Sequence, residues 1–236
     1  EGTSGPYYLS VYQTASNSIS AAVQFQIAYA NKNGGGGVNF DSAVPFKSPT
    51  TTIYGQYRTL VLEDENASFT WGPINTGSAD GDNDFYVISI ERARYKQSLL
   101  PGSLNLVLKS SNASYSAIHL TDNSNQVTLP TFYGTQRAYQ LISGSDGTSW
   151  DGGNGFTAGS GSYGLVLPDI STILLNAAAL QDNTATGGGI NLGTVDTADS
   201  FGDNPTRLYD AISGSVTVSG VDNIFELNSQ ETLTSD

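Results

Sequence analysis

Short apolar segments with a two-residue period recur along this chain, while almost no stretch has the longer period of a helix. In one segment Val23, Phe25, Ile27 and Tyr29 alternate with polar or small residues, as in a strand with one buried face. About ten such segments follow one another at spacings of roughly 8–14 residues. The pattern predicts a mainly β fold, an antiparallel β-sandwich or distorted barrel with long Gly-rich loops and little helix.

The composition supports strands that are joined by many turns. The chain has 13 Tyr, 9 Phe and 27 Gly, and charged residues make up 13% of its 236 residues, against about 25% in typical domains. Aromatic side chains pack well on pleated sheets, and Gly supplies the positive φ angles that tight turns need.

One strand prediction stands out. The apolar run FYVISI at 85–90 predicts a strand that is buried on both faces. After a turn at LPGS, the alternating residues 103–110 predict a second strand. We expect the two to form a hairpin or a corner between sheets.

Four further segments carry local predictions. The alternation in IYGQYRTLVLED predicts a strand over 53–64, and YGLVLPDISTILLN predicts two strands broken at Pro168-Asp169. Residues 176–181 predict a short helix, and residues 199–212 a loop with one helical turn.

Chain organisation is the next expectation. The pattern places a main β domain over residues 1–185 and a loop-rich extension with terminal strands over 186–236. It leaves open whether the extension continues the same domain. Because the chain starts at Glu1 and contains no methionine, we expect it to be a segment of a longer protein.

The charge balance excludes two kinds of partner. With 22 acidic residues against 9 Lys and Arg, the formal net charge is -13. Nucleic acid and anionic membrane surfaces need clustered cations, so neither is an expected partner. No run of 18 apolar residues is present, so no segment is expected to span a bilayer.

Few residues are suited to catalysis. Cysteine is absent, which excludes a thiolate nucleophile. His119 is the only histidine, so any Ser-His-Asp triad would have to contain it. The segment SAIHLTD predicts that His119 is an ordinary, partly buried residue on a strand. We therefore assign no catalytic residue, and Ca²⁺ is the one cofactor that we consider.

The acidic segment DGDND resembles part of a calcium-binding loop. Asp80, Asp82 and Asp84 occupy the first, third and fifth positions of an EF-hand loop, and Glu91 the twelfth. Phe85 stands where that loop requires Gly, which argues against an EF-hand. Two interpretations remain, a different kind of Ca²⁺ site at the three aspartates or a solvated acidic loop.

A third of the Lys and Arg residues lie in the short segment ERARYK. On an extended strand, Arg92, Arg94 and Lys96 would point to one face and Tyr95 to the other. One interpretation is a solvated edge strand, where cations deter pairing with other strands. The other is an interface in which Arg92, Arg94, Tyr95 and Lys96 contact an acidic surface of a partner.

Four stretches carry a family resemblance: SVYQTASNSISAAVQFQIAYANKNGGG, YGQYRTLVL, DFYVISIERARYKQSLLPGSLNLVL and YGLVLPDISTILLNAAAL, which together span about residues 9–180. They resemble virion structural proteins of contractile-tailed bacteriophages, particularly the large T4-like phages of marine cyanobacteria. The resemblance implies a tail or baseplate component that assembles in the host cytoplasm and resides in the virion. Its implied partners are other virion subunits, in a homo- or hetero-oligomeric assembly, and it implies no catalytic residues.

Two other functions remain open. One is a β-sandwich module that binds host glycans through exposed Tyr residues and Trp150, with Ca²⁺ at the three aspartates. The other is a glycan hydrolase that uses two carboxylates, for which the 22 acidic residues point to no particular pair.

Overall fold

The structure is a computed structural model that describes residues 2–4, 8–37, 48–69, 71, 84–110, 116–150, 162–181, 189–190, 192, 203–213 and 225–230. Its strands in chain order are β1 (Gly2–Ser4), β2 (Tyr8–Tyr12), β3 (Val23–Asn31), β4 (Asp84–Ile90), β5 (Ser98–Leu99), β6 (Asn105–Leu108), β7 (Ile118–Asp122), β8 (Thr131–Tyr133), β9 (Gln136–Ser145), β10 (Thr148–Ser149), β11 (Gly164–Leu167), β12 (Thr172–Asn176), β13 (Phe225–Glu226) and β14 (Ser229–Gln230). Its α-helices are α1 (Pro49–Leu62), α2 (Ala177–Gln181) and α3 (Asp203–Ser213), and 3₁₀ turns cover Arg92–Arg94 and Pro168–Ile170. None of these helices has the length and apolar character needed to cross a membrane.

Twelve of the described strands form one antiparallel sheet. The order of neighbours is β1-β2-β3-β4-β12-β11-β9-β7-β6-β13, and β8 and β10 pair with β9 outside this path. The sheet curls into a half-barrel, so that Phe25 on β3 packs edge-on against Phe225 on β13 with ring centroids 4.8 Å apart. The prediction of a mainly β, antiparallel fold with little helix is confirmed.

Alternate residues of the central strands face two separate hydrophobic clusters. In β4, Tyr86, Ile88 and Ile90 belong to the inner cluster, which lies within the curl and includes side chains of α2 and α3. Phe85 and Val87 belong to the outer cluster, which α1 covers. As predicted, this strand is buried on both faces.

Residues 53–64 lie mostly in helix α1, so the prediction of a strand there is wrong. The helix starts after Ser48 with Pro49 in its first turn, where the missing N–H of proline leaves no hydrogen bond unmade. Thr50, Tyr54 and Val61 are buried on α1, at the spacing of one helical face. Of the alternating residues Tyr57, Thr59 and Val61, only Val61 is buried on this face, and Thr59 is exposed. The two-residue alternation therefore did not report which side chains are buried.

Residues 85–90 and 103–110 were predicted to form a hairpin or a corner between sheets, and neither is formed, because β4 and β6 belong to one sheet and are not neighbours in it. Strand β4 pairs with β3 and β12, whereas β6 pairs with β7 and β13. Between them β5 pairs with β14, where Leu99 lies opposite Ser229. Leu99 and Ser229 are distant in sequence, so no local pattern indicates that they pair.

Of the other local predictions, two are confirmed and one is wrong. The break between β11 and β12 at Pro168-Asp169 and the short helix α2 are confirmed. The loop predicted over 199–212 is wrong, because α3 is an 11-residue helix. Its residues Leu208, Ala211 and Ile212 face the inner cluster at helical spacing.

Replacing Gly164 or Gly55 by alanine should change the stability of the fold in opposite directions. Gly164 has a φ of 143°, and a β-carbon there would overlap the Leu174 carbonyl oxygen on β12. Gly55 lies within α1, where a β-carbon would meet no neighbouring atom within 4 Å.

We expect Gly164→Ala to lower the free energy of unfolding by about 2 kcal/mol or more. Gly55→Ala should raise it by about 0.5–1 kcal/mol. Urea unfolding followed by circular dichroism measures both, and changes of the same sign would contradict the described backbone.

Candidate functional site

A cleft of about 1030 Å³ opens beside the curled sheet. One wall contains Phe25 on β3 and Ile90 at the end of β4. Tyr209 and Ile212 of α3 contribute a second side, and Phe225 on β13 a third. The size and the apolar lining are typical of sites for small molecules.

The remaining wall of the cleft consists of three turns, which we call the three-turn rim: Pro101-Gly102, Ser124-Asn125 and Asp146-Gly147. Gly102 has a φ of 83°, as the third position of a Pro-Gly type II turn requires. Asp146 and Gly147 have φ values of 49° and 71°, which suit the type I′ turn of the β9–β10 hairpin.

Hydrogen bonds lock the three-turn rim together. The buried carboxylate of Asp122 accepts hydrogen bonds from the Gly102 N–H at 2.9 Å and from the Ser124 N–H at 3.1 Å. The Asn125 side chain donates to the carbonyl oxygen of Asp146 at 3.0 Å. The Gly147 N–H donates to the hydroxyl oxygen of Thr121 at 2.8 Å. Each turn is therefore tied to a neighbouring element by atoms with little freedom to move.

Asn105 on β6 fixes the Asp146 side chain in the same wall. Its amide nitrogen donates to Asp146 Oδ1 at 2.7 Å, and its amide oxygen accepts from the Asp146 N–H at 2.8 Å. Within the part of the chain that the structure describes, Asp146 Oδ2 has no hydrogen-bond partner. The wall thus presents an ordered carboxylate oxygen with free hydrogen-bonding capacity.

A smaller pocket of about 160 Å³ shares Asn105, Asp146 and Glu226 with the cleft. His119 on β7 lines this pocket, and its ring centroid lies 4.6 Å from that of Trp150. Trp150 is 55% exposed. The prediction that His119 is a partly buried strand residue is confirmed, and its burial lowers the pKa of His119.

The cationic segment does not continue β4, so the prediction that its cations share one strand face is wrong. Arg92–Arg94 form a 3₁₀ turn, which the Arg94 N–H closes by donating to the Glu91 carbonyl oxygen at 2.8 Å. The turn brings the Arg92 guanidinium within 4.7 Å of the Tyr95 ring centre, and Arg92 donates to the Tyr95 carbonyl oxygen at 2.9 Å. Arg94 lines the cleft, and Lys96 is exposed. The interface at these four residues stays a prediction.

The aspartates of the calcium hypothesis are only partly described. Asp80 and Asp82 lie outside the described residues, and Asp84 begins β4. The Tyr29 hydroxyl donates to Asp84 Oδ2 at 2.6 Å. Burial raises the pKa of Asp84, although this hydrogen bond acts in the opposite direction. Across the described ranges, no three His, Cys, Asp or Glu side chains gather as a metal site would require, and Ca²⁺ binding stays a prediction.

The sequence does not single out Asn105, Asn125 and Asp146, which form the polar wall of the cleft. One signal was present, because Asp146-Gly147 between strand-forming residues is a strong hairpin motif. Nothing local indicates that this turn meets Asn105 and Asn125, since they belong to other hairpins.

No protein-family model, curated protein or solved structure matches the chain. Its function is therefore inferred from its own residues and geometry. The resemblance to phage virion proteins stays a prediction.

One ion pair next to the sheet has a predictable dependence on pH. Arg137 at the start of β9 donates to Asp169 from its side chain at 2.6 and 3.0 Å and from its N–H at 3.1 Å. Burial acts to raise the pKa of Asp169, but the hydrogen bonds from Arg137 outweigh it, so that this pKa lies below its usual value. The ion pair therefore stabilises the fold above the unfolded-state pKa of about 3.9, and this contribution is lost as the pH falls through the lower, folded-state pKa.

We expect Asp169→Asn to lower the midpoint of thermal unfolding at pH 7 by a few degrees and to have little effect at a pH below both pKa values. Asp210→Asn, at an exposed position on α3, is the matched control. It should leave the midpoint of thermal unfolding unchanged both at pH 7 and at the low pH. Calorimetry across this pH range makes the measurement. A loss for Asp169→Asn that is equal at all pH values would show that the ionised pair does not contribute as described.

Proposed function

We propose that this chain is a structural subunit of a phage virion, in the tail or baseplate, and acts through contacts with other virion subunits. The family resemblance of its sequence is one support. An exposed apolar surface on the molecule carries the physical case for assembly.

This surface, the β8 surface, consists of Val127, Leu129 and Phe132. Their side chains are 37%, 79% and 59% exposed. Among the described strands, β8 pairs with β9 alone and leaves its other edge open. An open strand edge with exposed apolar side chains favours pairing with another chain.

The charge distribution makes the β8 surface suitable for contact. The chain carries a net charge of -13, so copies of it repel one another at most approaches. Residues 126–135 contain no charged side chain, although 13% of the chain is charged. Arg137 lies opposite Phe132 on β9 but is already paired with Asp169. A neighbour that covers this region removes apolar groups from water, at about 25 cal/mol per Å² of apolar area.

The double substitution Leu129→Ser with Phe132→Ser tests this assignment. When infected cells supply the variant, we expect purified particles to contain at least tenfold less of it than of the unmodified chain. A tenfold loss corresponds to about 1.4 kcal/mol of binding free energy. The measurement is quantitative mass spectrometry, with circular dichroism of the isolated variant to verify folding. Ile19→Ser, at another exposed apolar position in the turn before β3, is the control and should be incorporated normally. Absence of the unmodified chain from the particles would refute a virion role.

The cationic turn is a second contact to test. We expect Arg92→Glu with Arg94→Glu to reduce incorporation into the same particles, because acidic partner groups would be repelled. The isolated variant should stay folded, since both side chains are exposed. Normal incorporation of this variant would remove the turn from the proposed contacts and leave the β8 surface in place.

A further inference from the structure

The cleft and the smaller pocket adjoin, because both are lined by Asn105, Asp146 and Glu226. We call the two cavities, together with the neighbouring Trp150, the groove. The smaller pocket reaches His119, whose ring contacts Trp150. The groove therefore presents an ordered polar wall beside an exposed indole ring.

The polar wall is suited to hydroxyl groups, which donate and accept hydrogen bonds at the same atom. Asn105 and Asn125 offer amides that do both, and each is held in place by a hydrogen bond to Asp146. Within the described ranges, Asp146 Oδ2 and Asn125 Oδ1 have no hydrogen-bond partner and can accept from a ligand. Because the three-turn rim is already locked, a ligand would meet these groups with little ordering cost.

Trp150 is anchored through its main chain and contacts one neighbouring ring. Its backbone N–H donates to the Ser143 carbonyl oxygen at 3.1 Å, and its ring centroid lies 4.6 Å from that of His119. More than half of the side chain is nevertheless exposed to water. A flat exposed ring beside hydrogen-bonding groups can stack on the apolar face of a ring-shaped, hydroxyl-rich ligand.

The charges of the groove exclude anionic ligands. Arg94 is the only Lys or Arg among its described lining residues, and Asp146 and Glu226 are carboxylates. Phosphate-bearing ligands and sulfated chains would need several cations. We propose that the groove binds a neutral oligosaccharide, with a sugar ring on Trp150 and hydroxyl groups at Asn105, Asn125 and Asp146. This site does not depend on the virion assignment.

The two tryptophans of the chain make binding directly observable. Trp71 is 3% exposed and Trp150 is 55% exposed, so their indole N–H signals report a core position and the groove separately. The isotope-labelled chain is titrated with neutral cello-, malto-, xylo-, manno- and chito-hexaose, and with anionic oligogalacturonate and a heparin hexasaccharide. We expect at least one neutral hexasaccharide to shift the Trp150 signal while that of Trp71 stays in place.

Two groove variants and one control decide where the sugar binds. Trp150→Ala and Asp146→Asn should each weaken binding by about tenfold in calorimetric titrations. Asparagine tolerates the positive φ at position 146, so Asp146→Asn keeps the turn. Phe132→Ser, which removes an exposed aromatic ring outside the groove, should bind normally.

Three outcomes would overturn the proposal: no response to any neutral hexasaccharide, binding of the anionic sugars alone, or binding that both groove substitutions leave unchanged. Failure of the virion experiments would leave this result untouched, because the β8 surface and the groove share no residue.

Discussion

The central strands of the sheet are buried on both faces, and the rest of the molecule is arranged around that requirement. A strand such as β4 cannot leave either Phe85 or Ile88 in water without losing a large part of its hydrophobic stabilisation. Helix α1 covers one face, and the curl of the sheet, together with α2 and α3, covers the other. The cleft lies where this inner cover stops, between α3, β13 and the ends of β3 and β4.

Two surfaces of different chemistry follow from this arrangement. The β8 surface is apolar and next to an open strand edge, properties that suit a large protein partner. The groove is concave and has one ordered polar wall beside apolar side chains, properties that suit a small hydroxylated ligand. The β8 surface and the groove are built from different strands. A subunit that assembles through the β8 surface would therefore keep the groove open to solvent.

The class of fold could be predicted from the sequence because period-two alternation, as at Val23–Tyr29, is a direct consequence of strand geometry. Helix α1 could also have been found, from Ser48-Pro49 and the spacing of Thr50, Tyr54 and Val61. The pairing of strands could not be predicted from the sequence, since Leu99 and Ser229 meet only in the completed sheet. The same holds for the candidate site. Its Asp146-Gly147 turn has a recognisable motif, but the meeting of three turns depends on the register of β6, β7 and β9.

The locked rim also changes how a surface turn behaves in time. Amide hydrogens in exposed turns normally exchange with water quickly, because little structure has to open. The N–H groups of Gly102 and Gly147 instead donate to Asp122 and Thr121, which are 1% and 0% exposed. The Gly102 amide becomes free only when its turn separates from β7, and the Gly147 amide only when the β9–β10 turn does. We therefore expect both amides to exchange more slowly than those of turns that donate only to water.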